Sequence, residues 1–519
     1  MGKKIIIVGS GVSAALVTKG LLEKYSSIES ITLLEAGNAV EQMNRRKWQD
    51  YVTTDTLPYE ENRDIPQEYI SSPDKIGLEE SRLFVRGGST VHWGGWALRF
   101  KTEDFKLFSA AEREIDWPYG YDTLEPYYYM AEHALGIAGD SNVDLPPRNG
   151  KKYPYDAPAF TQADGFVIDG LRKNNIDFSH LPIARFGDRC VTTGTCKYCP
   201  VGGRFSATMI LDELARAYES SSRLNLQLGC SVRSVIMGSS NTALGVEYNE
   251  IATGKTKQLL ADLVILCAGA IETPKILLSS IHKAWPVGLG NNTGHVGHHF
   301  KTHPMLYVDA TLSTNNERVH QELDFPTLCS RHFDSEKYQR EGKFFFVRAV
   351  SSPNVGLEKL MSSGKPISFV DTATRGPMNL SLNGFIEQFS SKENYIELAD
   401  GLTRFGVRRT KINYTQLQNQ ARAADTHIEA LKKILSSTGA TVVKAGIRTP
   451  RADHTTSTTR MSISELNGVV DPNLRVHGTD NVYICSNSVF PNVAAVNPTL
   501  TLVAIALRFV DTIGNTIRL

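Results

Sequence analysis

The N-terminal pattern of apolar and polar positions already names three elements. Residues 4–8 are a β-branched run, and the turn Gly9-Ser10-Gly11-Val12-Ser13-Ala14 follows it. From 15 to 25 apolar positions recur at helical spacing among good helix formers. Residues 31–34 form a second strand-like run that ends at Glu35. Strand, glycine turn, helix and strand with an acidic end make a βαβ unit. Residues 40–85 are polar, contain proline and predict irregular structure.

Further along, LNLQLG, SVRSVIMG and ALGVEYNE read as strands between 223 and 250, with turn signals at Gly229, Gly238-Ser239 and Thr253-Gly254. Residues 263–267 read as a buried strand, with a helix from about Thr273. Stretches 305–312, 345–350 and 382–398 alternate as sheet strands do, and 415–437 and 498–513 predict helices. Nucleotide-type segments thus lie at the start, middle and end of the chain. A second domain is therefore expected to be inserted, not appended.

Composition narrows the classes. The chain has 519 residues, more than one hydrophobic core usually serves, so two domains are expected. Its 56 basic against 55 acidic residues leave a net charge of +1. That argues against nucleic acid and membrane surfaces as partners, since both draw on a basic field. No apolar run approaches the roughly 20 residues of a membrane span. Strand-like sequence begins within a few residues of Met1, so cleavage of a leader would destroy the first strand, and a cytoplasmic location, or export only by riding on a partner, is expected. Seven cysteines, an odd number with four scattered, do not suggest a disulfide framework.

The Gly9-x-Gly11-x-x-Ala14 turn lets a pyrophosphate approach the backbone at a helix N-terminus. Glu35 suits a ribose hydroxyl. This pattern does not separate NAD from FAD; the acidic residue disfavours NADP.

Several further segments resemble the glucose–methanol–choline (GMC) oxidoreductase family. Arg86-Gly87-Gly88-Ser89-Thr90-Val91-His92-Trp93-Gly94-Gly95 is similar to its glycine-rich flavin loop. Gly269-Ala270-Ile271-Glu272-Thr273-Pro274 opens a stretch similar to its second signature, with Ile281 where that signature has glycine. His454, Met461, Asp471, Gly478 and Asn497-Pro498-Thr499 continue the series in the family's order. The HW pair and the NPT triplet resemble its sugar-oxidising branch.

The resemblance implies an α/β fold, α+β overall: a Rossmann-like FAD-binding domain with an inserted antiparallel-sheet substrate domain. The FAD domain is expected over 1–100, 186–295 and 445–519. The substrate domain is expected over 296–444, with 101–185 forming a lid or packing between the two domains; a lid over the flavin itself is expected in 40–85 or 310–345. Besides Gly9, Gly11, Ala14 and Glu35, the implied FAD contacts are Arg86, Gly88, Ser89, His92, Trp93, Val232, Ala268, Asn487, Pro498 and Thr499. His454 is implied as the base that takes a substrate hydroxyl proton, and Asn497 as the group that holds that hydroxyl. Both suit the task chemically: a neutral imidazole accepts near working pH, and an amide donates without titrating. Asn before Pro also predicts a helix cap at Asn497.

Two features leave alternatives open. In pyranose oxidases a histidine spaced like His92 carries FAD covalently, whereas related enzymes keep the HW pair without an established link. Cys190-x5-Cys196-x2-Cys199 is similar to the three-iron cluster motif of bacterial sugar dehydrogenases, one residue shorter in its second gap. Structural thiols, an iron–sulfur cluster and zinc are the readings, with structural thiols favoured. His298, His299 and His303 read as packing near the flavin, with no metal role expected. The expected reaction is oxidation of a secondary ring hydroxyl of a sugar or glycoside at C2 or C3. Oxygen or a redox partner would take the electrons. A lyase on the same fold, a non-sugar alcohol substrate and a non-catalytic flavoprotein subunit are the alternatives.

Overall fold

The computed structural model describes residues 2–54, 56–59, 68–78, 81–143, 146–192, 196–239, 241–313, 325–350, 377–417 and 420–517. Strand β1 (Lys3–Val8) lies at the centre of a five-stranded parallel sheet. Ile5, Ile6, Ile7 and Val8 are all buried, as a central strand covered on both faces requires. On one side β1 pairs with β2 (Ile28–Leu34), which pairs with Leu224–Gln227. On the other side it pairs with Leu263–Leu266, which pairs with Val482–Ile484. This sheet therefore gathers strands from the start, middle and end of the chain. An antiparallel three-stranded sheet, residues 230–260, lies in sequence between the strands Leu224–Gln227 and Leu263–Leu266.

Helix α1 (Val12–Lys24) crosses from β1 to β2 and packs against the C-terminal helix Thr499–Ile517. The approach is close at Gly20, where a Cβ would stand 2.8 Å from the Val510 side chain. The helix expected from Thr273 spans Gly269–Ser279, beginning a turn earlier. Pro274 has no N–H to bond to the Ala270 carbonyl. The Thr458 hydroxyl donates to that carbonyl at 2.7 Å, so the early turn is satisfied by a distant segment.

The second sheet has six strands, all antiparallel, in the order Thr441–Ile447, Met305–Leu312, Met378–Ile386, Phe344–Ala349, Leu328–Ser330 and Ser179–His180. Helices Gln162–Lys173 and Ala421–Ser437 cover one face, with Leu171, Leu380, Leu382, Leu431 and Leu435 in a separate core. Thus 101–185 is shared between two cores. Helix Tyr121–Leu135 packs on the C-terminal helix beside the parallel sheet, and Gln162–Lys173 packs on the second sheet.

Two expectations need correction. The stretch 382–398 is not one strand. Met378–Ile386 belongs to the large sheet, while Tyr395–Leu402 pairs with Arg408–Tyr414 in a small sheet. Turn-forming Ser390, Ser391 and Asn394 separate them. Residues 40–85 are not uniformly irregular. They contain helix Arg45–Thr54 and strand Tyr69–Pro73, which joins Arg408–Tyr414 in parallel. Of the two segments expected to hold a lid, 60–67 and 314–324 lie outside the described residues. No described helix is long and apolar enough to cross a membrane.

Candidate active site

A cavity of about 580 Å³ runs from the carboxyl end of β1 to the large antiparallel sheet. That volume is within the range of cofactor and ligand sites. Its walls include Gly9, Gly11, Glu35, Gly88, Ser89, His92, Trp93, Val232, Ala268, Asn487, Thr499, His454 and Asn497. Ala14, Arg86 and Pro498 are not among the lining residues. Ala14 is buried inside α1's packing face. Arg86 turns to Asp212 at 2.6 Å and ties the glycine-rich loop to helix Ala207–Ala217.

Three helices begin at this cavity, through Val12, Gly269 and Thr499. Helix N-termini present unbonded N–H groups and partial positive charge, which suits an anionic ligand. The residues present fit a dinucleotide. No side-chain cap bonds at Gly11, and a Cβ there would meet nothing within 4 Å, so that face of the turn is open. At Gly88 a Cβ would stand 3.1 Å from the Gly11 Cα, so the two glycine loops are in backbone contact. Gly9 has φ +99°, and a Cβ there would come within 2.8 Å of the Cys267 carbonyl oxygen.

Glu35 is buried at the end of β2. Its carboxylate accepts from Ser10 N at 3.0 Å, Ser10 Oγ at 2.7 Å and Gly37 N at 2.8 Å. Burial raises its pKa, against the lowering effect of these donors. Trp93 Nε1 donates to Phe205 O at 2.8 Å, and Arg204 Nη1 donates to Trp93 O at 2.8 Å. Burial, with Arg204 nearby, lowers the His92 pKa to about 4. Asn487 Nδ2 donates to Thr455 O at 2.9 Å and so holds the segment after His454.

At the other end, Asn497 Nδ2 lies 2.9 Å from His454 Nε2. Asn497 Oδ1 is buried and has no hydrogen-bond partner among the described residues. Asn497 is not the helix cap that its sequence suggests. The first helical bond is Leu502 N to Pro498 O at 3.0 Å, so the helix starts one residue later and the amide is left for His454. His454 Nδ1 lies 2.9 Å from His303 Nδ1, and His303 Nε2 lies 2.9 Å from Ala494 O. Burial lowers the His454 pKa to about 4, so its ring is neutral at pH 7. Phe385 stands edge-on to His454 at 4.8 Å and stacks on His303 at 5.4 Å.

The three neighbouring histidines therefore divide. His298 bonds Lys392 O and His299 bonds Ser390 Oγ, so these two brace a loop. His303 was expected to pack as they do, yet it contacts the site. Phe385, Met305 and Trp96, cavity residues that sequence reasoning missed, come from the strands Met378–Ile386 and Met305–Leu312 of the antiparallel sheet and from the loop after His92. Only the alternation along 305–312 and 382–398 hinted at the first two.

No disulfide joins the seven cysteines. Cys199 Sγ accepts from Gly203 N at 3.2 Å, while Cys190 and Cys196 pack against Ala138, Ile183 and Phe325. Among the described residues no group of three or more His, Cys, Asp or Glu is placed to hold a metal ion. The three thiols do not form a ligand set, and the iron–sulfur option gains no support.

Fold and site together define a dinucleotide-binding α/β protein whose cavity continues to a His–Asn pair. Two family models described as GMC oxidoreductase match residues 83–305 and 390–506, and the chain belongs to that family. It is accordingly an FAD-dependent alcohol or sugar oxidase or dehydrogenase. The fructose dehydrogenase large subunit of Gluconobacter japonicus is 21% identical over 99% of this chain and 98% of its own. The 2-methyl-1,2-propanediol dehydrogenase of Mycolicibacterium austroafricanum is 24% identical over 98% and 95%. Paromamine 6'-oxidase of Streptomyces fradiae is 23% identical over 81% and 77%. Among solved structures, Aspergillus oryzae RIB40 formate oxidase, from a study of FAD modification, superposes with a TM-score of 0.70 at 15% identity, covering 100% of this chain and 99% of that one.

Proposed function

We propose that this chain oxidises a secondary ring hydroxyl of a sugar or glycoside to a ketone, with His454 as base and Asn497 as hydroxyl clamp. The observation that carries the reading is the 2.9 Å pairing of Asn497 Nδ2 with His454 Nε2 in the wall of the cofactor cavity. A substrate hydroxyl that takes the place of this direct bond, lying within reach of both groups, accepts from the amide and gives its proton to Nε2. Neutral His454 is in the protonation state this needs at pH 7. The names of sugar- and aminoglycoside-oxidising relatives support the substrate class.

The Gly9–Ser10–Gly11 turn, Glu35, Gly88, Ser89, Val232, Asn487 and Thr499 would hold FAD. When bound, FAD supplies the acceptor for the hydride that leaves the carbinol carbon. The chain's own groups do the rest. Phe385 and Trp96, 5.7 Å apart, give the His454 end an aromatic wall that orients a ring and excludes water.

The test is anaerobic mixing of the holoprotein with pyranoses, their methyl glycosides, small diols, choline and cyanohydrins. Flavin bleaching by a pyranose or glycoside, with a ring ketone as product, is the expected result. Bleaching by a diol or choline alone would overturn the substrate class. Cyanohydrin cleavage with the flavin left oxidised would make the protein a lyase.

A further inference from the structure

The geometry points to His303 as the positioning residue that fixes the tautomer of His454, so that Nδ1 carries the ring proton and Nε2 keeps its lone pair toward Asn497 and the substrate. This rests on the reading of His454 as the base.

The argument runs from a group whose role cannot change. The Ala494 carbonyl oxygen only accepts, so His303 Nε2, 2.9 Å away, must donate to it. A neutral imidazole with its proton on Nε2 has a lone pair on Nδ1. Burial and the neighbouring His454 and Lys301 keep His303 neutral, its pKa well below the usual value. Lys301 is itself buried, and Glu114 holds its ammonium at 2.6 and 2.7 Å. His303 Nδ1 therefore accepts, and the His454 nitrogen 2.9 Å away, Nδ1, must be the donor. With its proton on Nδ1, neutral His454 has an unprotonated Nε2, the nitrogen that faces the Asn497 amide. The amide orientation follows from this chain: Nδ2 faces His454, and Oδ1 is the atom left without a partner. The opposite tautomer would set two lone pairs against each other between the rings and leave Nε2 unable to take a proton. Phe385 stacks on His303 and stands edge-on to His454, which limits rotation of both rings.

The consequence is a pattern that general destabilisation would not give. His303→Asn can place its Oδ1 near the position of Nδ1 and keep an acceptor for His454. His303→Leu keeps bulk and removes the acceptor. We expect flavin reduction by a saturating substrate to fall roughly 10²-fold in His303→Leu. In His303→Asn it should fall no more than about 5-fold, with FAD retained in both. In a His454→Ala background, His303→Leu should cause no further loss. In ¹⁵N-histidine-labelled holoprotein, the His454 resonances, assigned by their absence in His454→Ala, should show the proton on Nδ1. They should shift toward Nε2 protonation in His303→Leu. Protonation of Nε2 in the wild type would overturn the proposal. So would equal losses in the Leu and Asn variants, or a loss that persists without His454. A His454→Ala variant that reduces flavin at the wild-type rate would remove the base and with it the positioning role; the tautomer signal, read without substrate, tells that failure from a wrong hydrogen-bond chain.

Discussion

At the cavity end built from residues 9–35, the defining groups are the N-terminus of α1, the open face of Gly11 and the Glu35 carboxylate. At the other end they are side chains of residues 303, 385, 454 and 497, drawn from four separate segments. The first end needs only one short βαβ unit to exist. The second exists only when the antiparallel sheet, the segment before Met461 and the start of the C-terminal helix have all docked. Damage should therefore differ in kind. At the nucleotide end it should read as lost cofactor or lost fold; at the His454 end it should read as lost chemistry on an intact holoprotein.

The largest expected effect tests the second end. His454→Ala should keep FAD and cut the rate of flavin reduction by at least ~10²-fold, measured by stopped-flow bleaching. Retention of the wild-type rate removes His454 from the mechanism. Next is the pH dependence of the same rate. Protonation consumes the lone pair, so reduction should be flat through neutral pH and fall as pH drops through about 4. A loss centred near 6.5 would show that His454 is not buried in the free enzyme as described. The same group bears on stability. Its folded pKa lies below the ordinary value, so its contribution is complete above about 6.5 and declines as pH falls from there toward 4.

A pair of glycine substitutions probes the first end. Gly9→Ala forces a side chain onto φ +99° and within 2.8 Å of a carbonyl oxygen. It should destabilise the apoprotein by about 1–3 kcal/mol in thermal unfolding. Gly11→Val places its side chain in open space at φ −67°. It should leave apoprotein stability within about 0.5 kcal/mol yet weaken FAD binding at least ~10-fold, read by flavin fluorescence titration. Equal FAD affinity in Gly11→Val and wild type would contradict the open-cradle reading. The smallest effect is expected at His92, also in the cavity wall. Acid precipitation should free the flavin from wild type and His92→Ala alike. A yellow wild-type pellet that turns colourless in His92→Ala would instead locate a covalent link at that ring.

Legibility followed the same division. The glycine turn, Glu35, the strand at 263–266 and the C-terminal helix could be read because each depends on short-range spacing. His454 and Asn497 were singled out by family resemblance; nothing local announces that two residues 43 positions apart will sit 2.9 Å from each other. His303 was read as packing because its ring partners are a histidine 151 positions away and a carbonyl 191 positions away. The Asn497 cap failed for a related reason: local preference suits a cap, but a partner supplied by the tertiary fold claims the amide. The split of 382–398 into two sheets was equally hidden, since alternation reports which residues face a core and not which neighbour each strand will find.

By itself, then, the sequence determined the parallel nucleotide-binding sheet, the glycine cradle and the membership of residue types suited to hydroxyl oxidation, because backbone sterics and burial periodicity act over a few residues. Only the tertiary structure decided which histidine meets which and which ring nitrogen is left to accept a proton, because hydrogen bonds and close packing are settled between segments far apart in the chain.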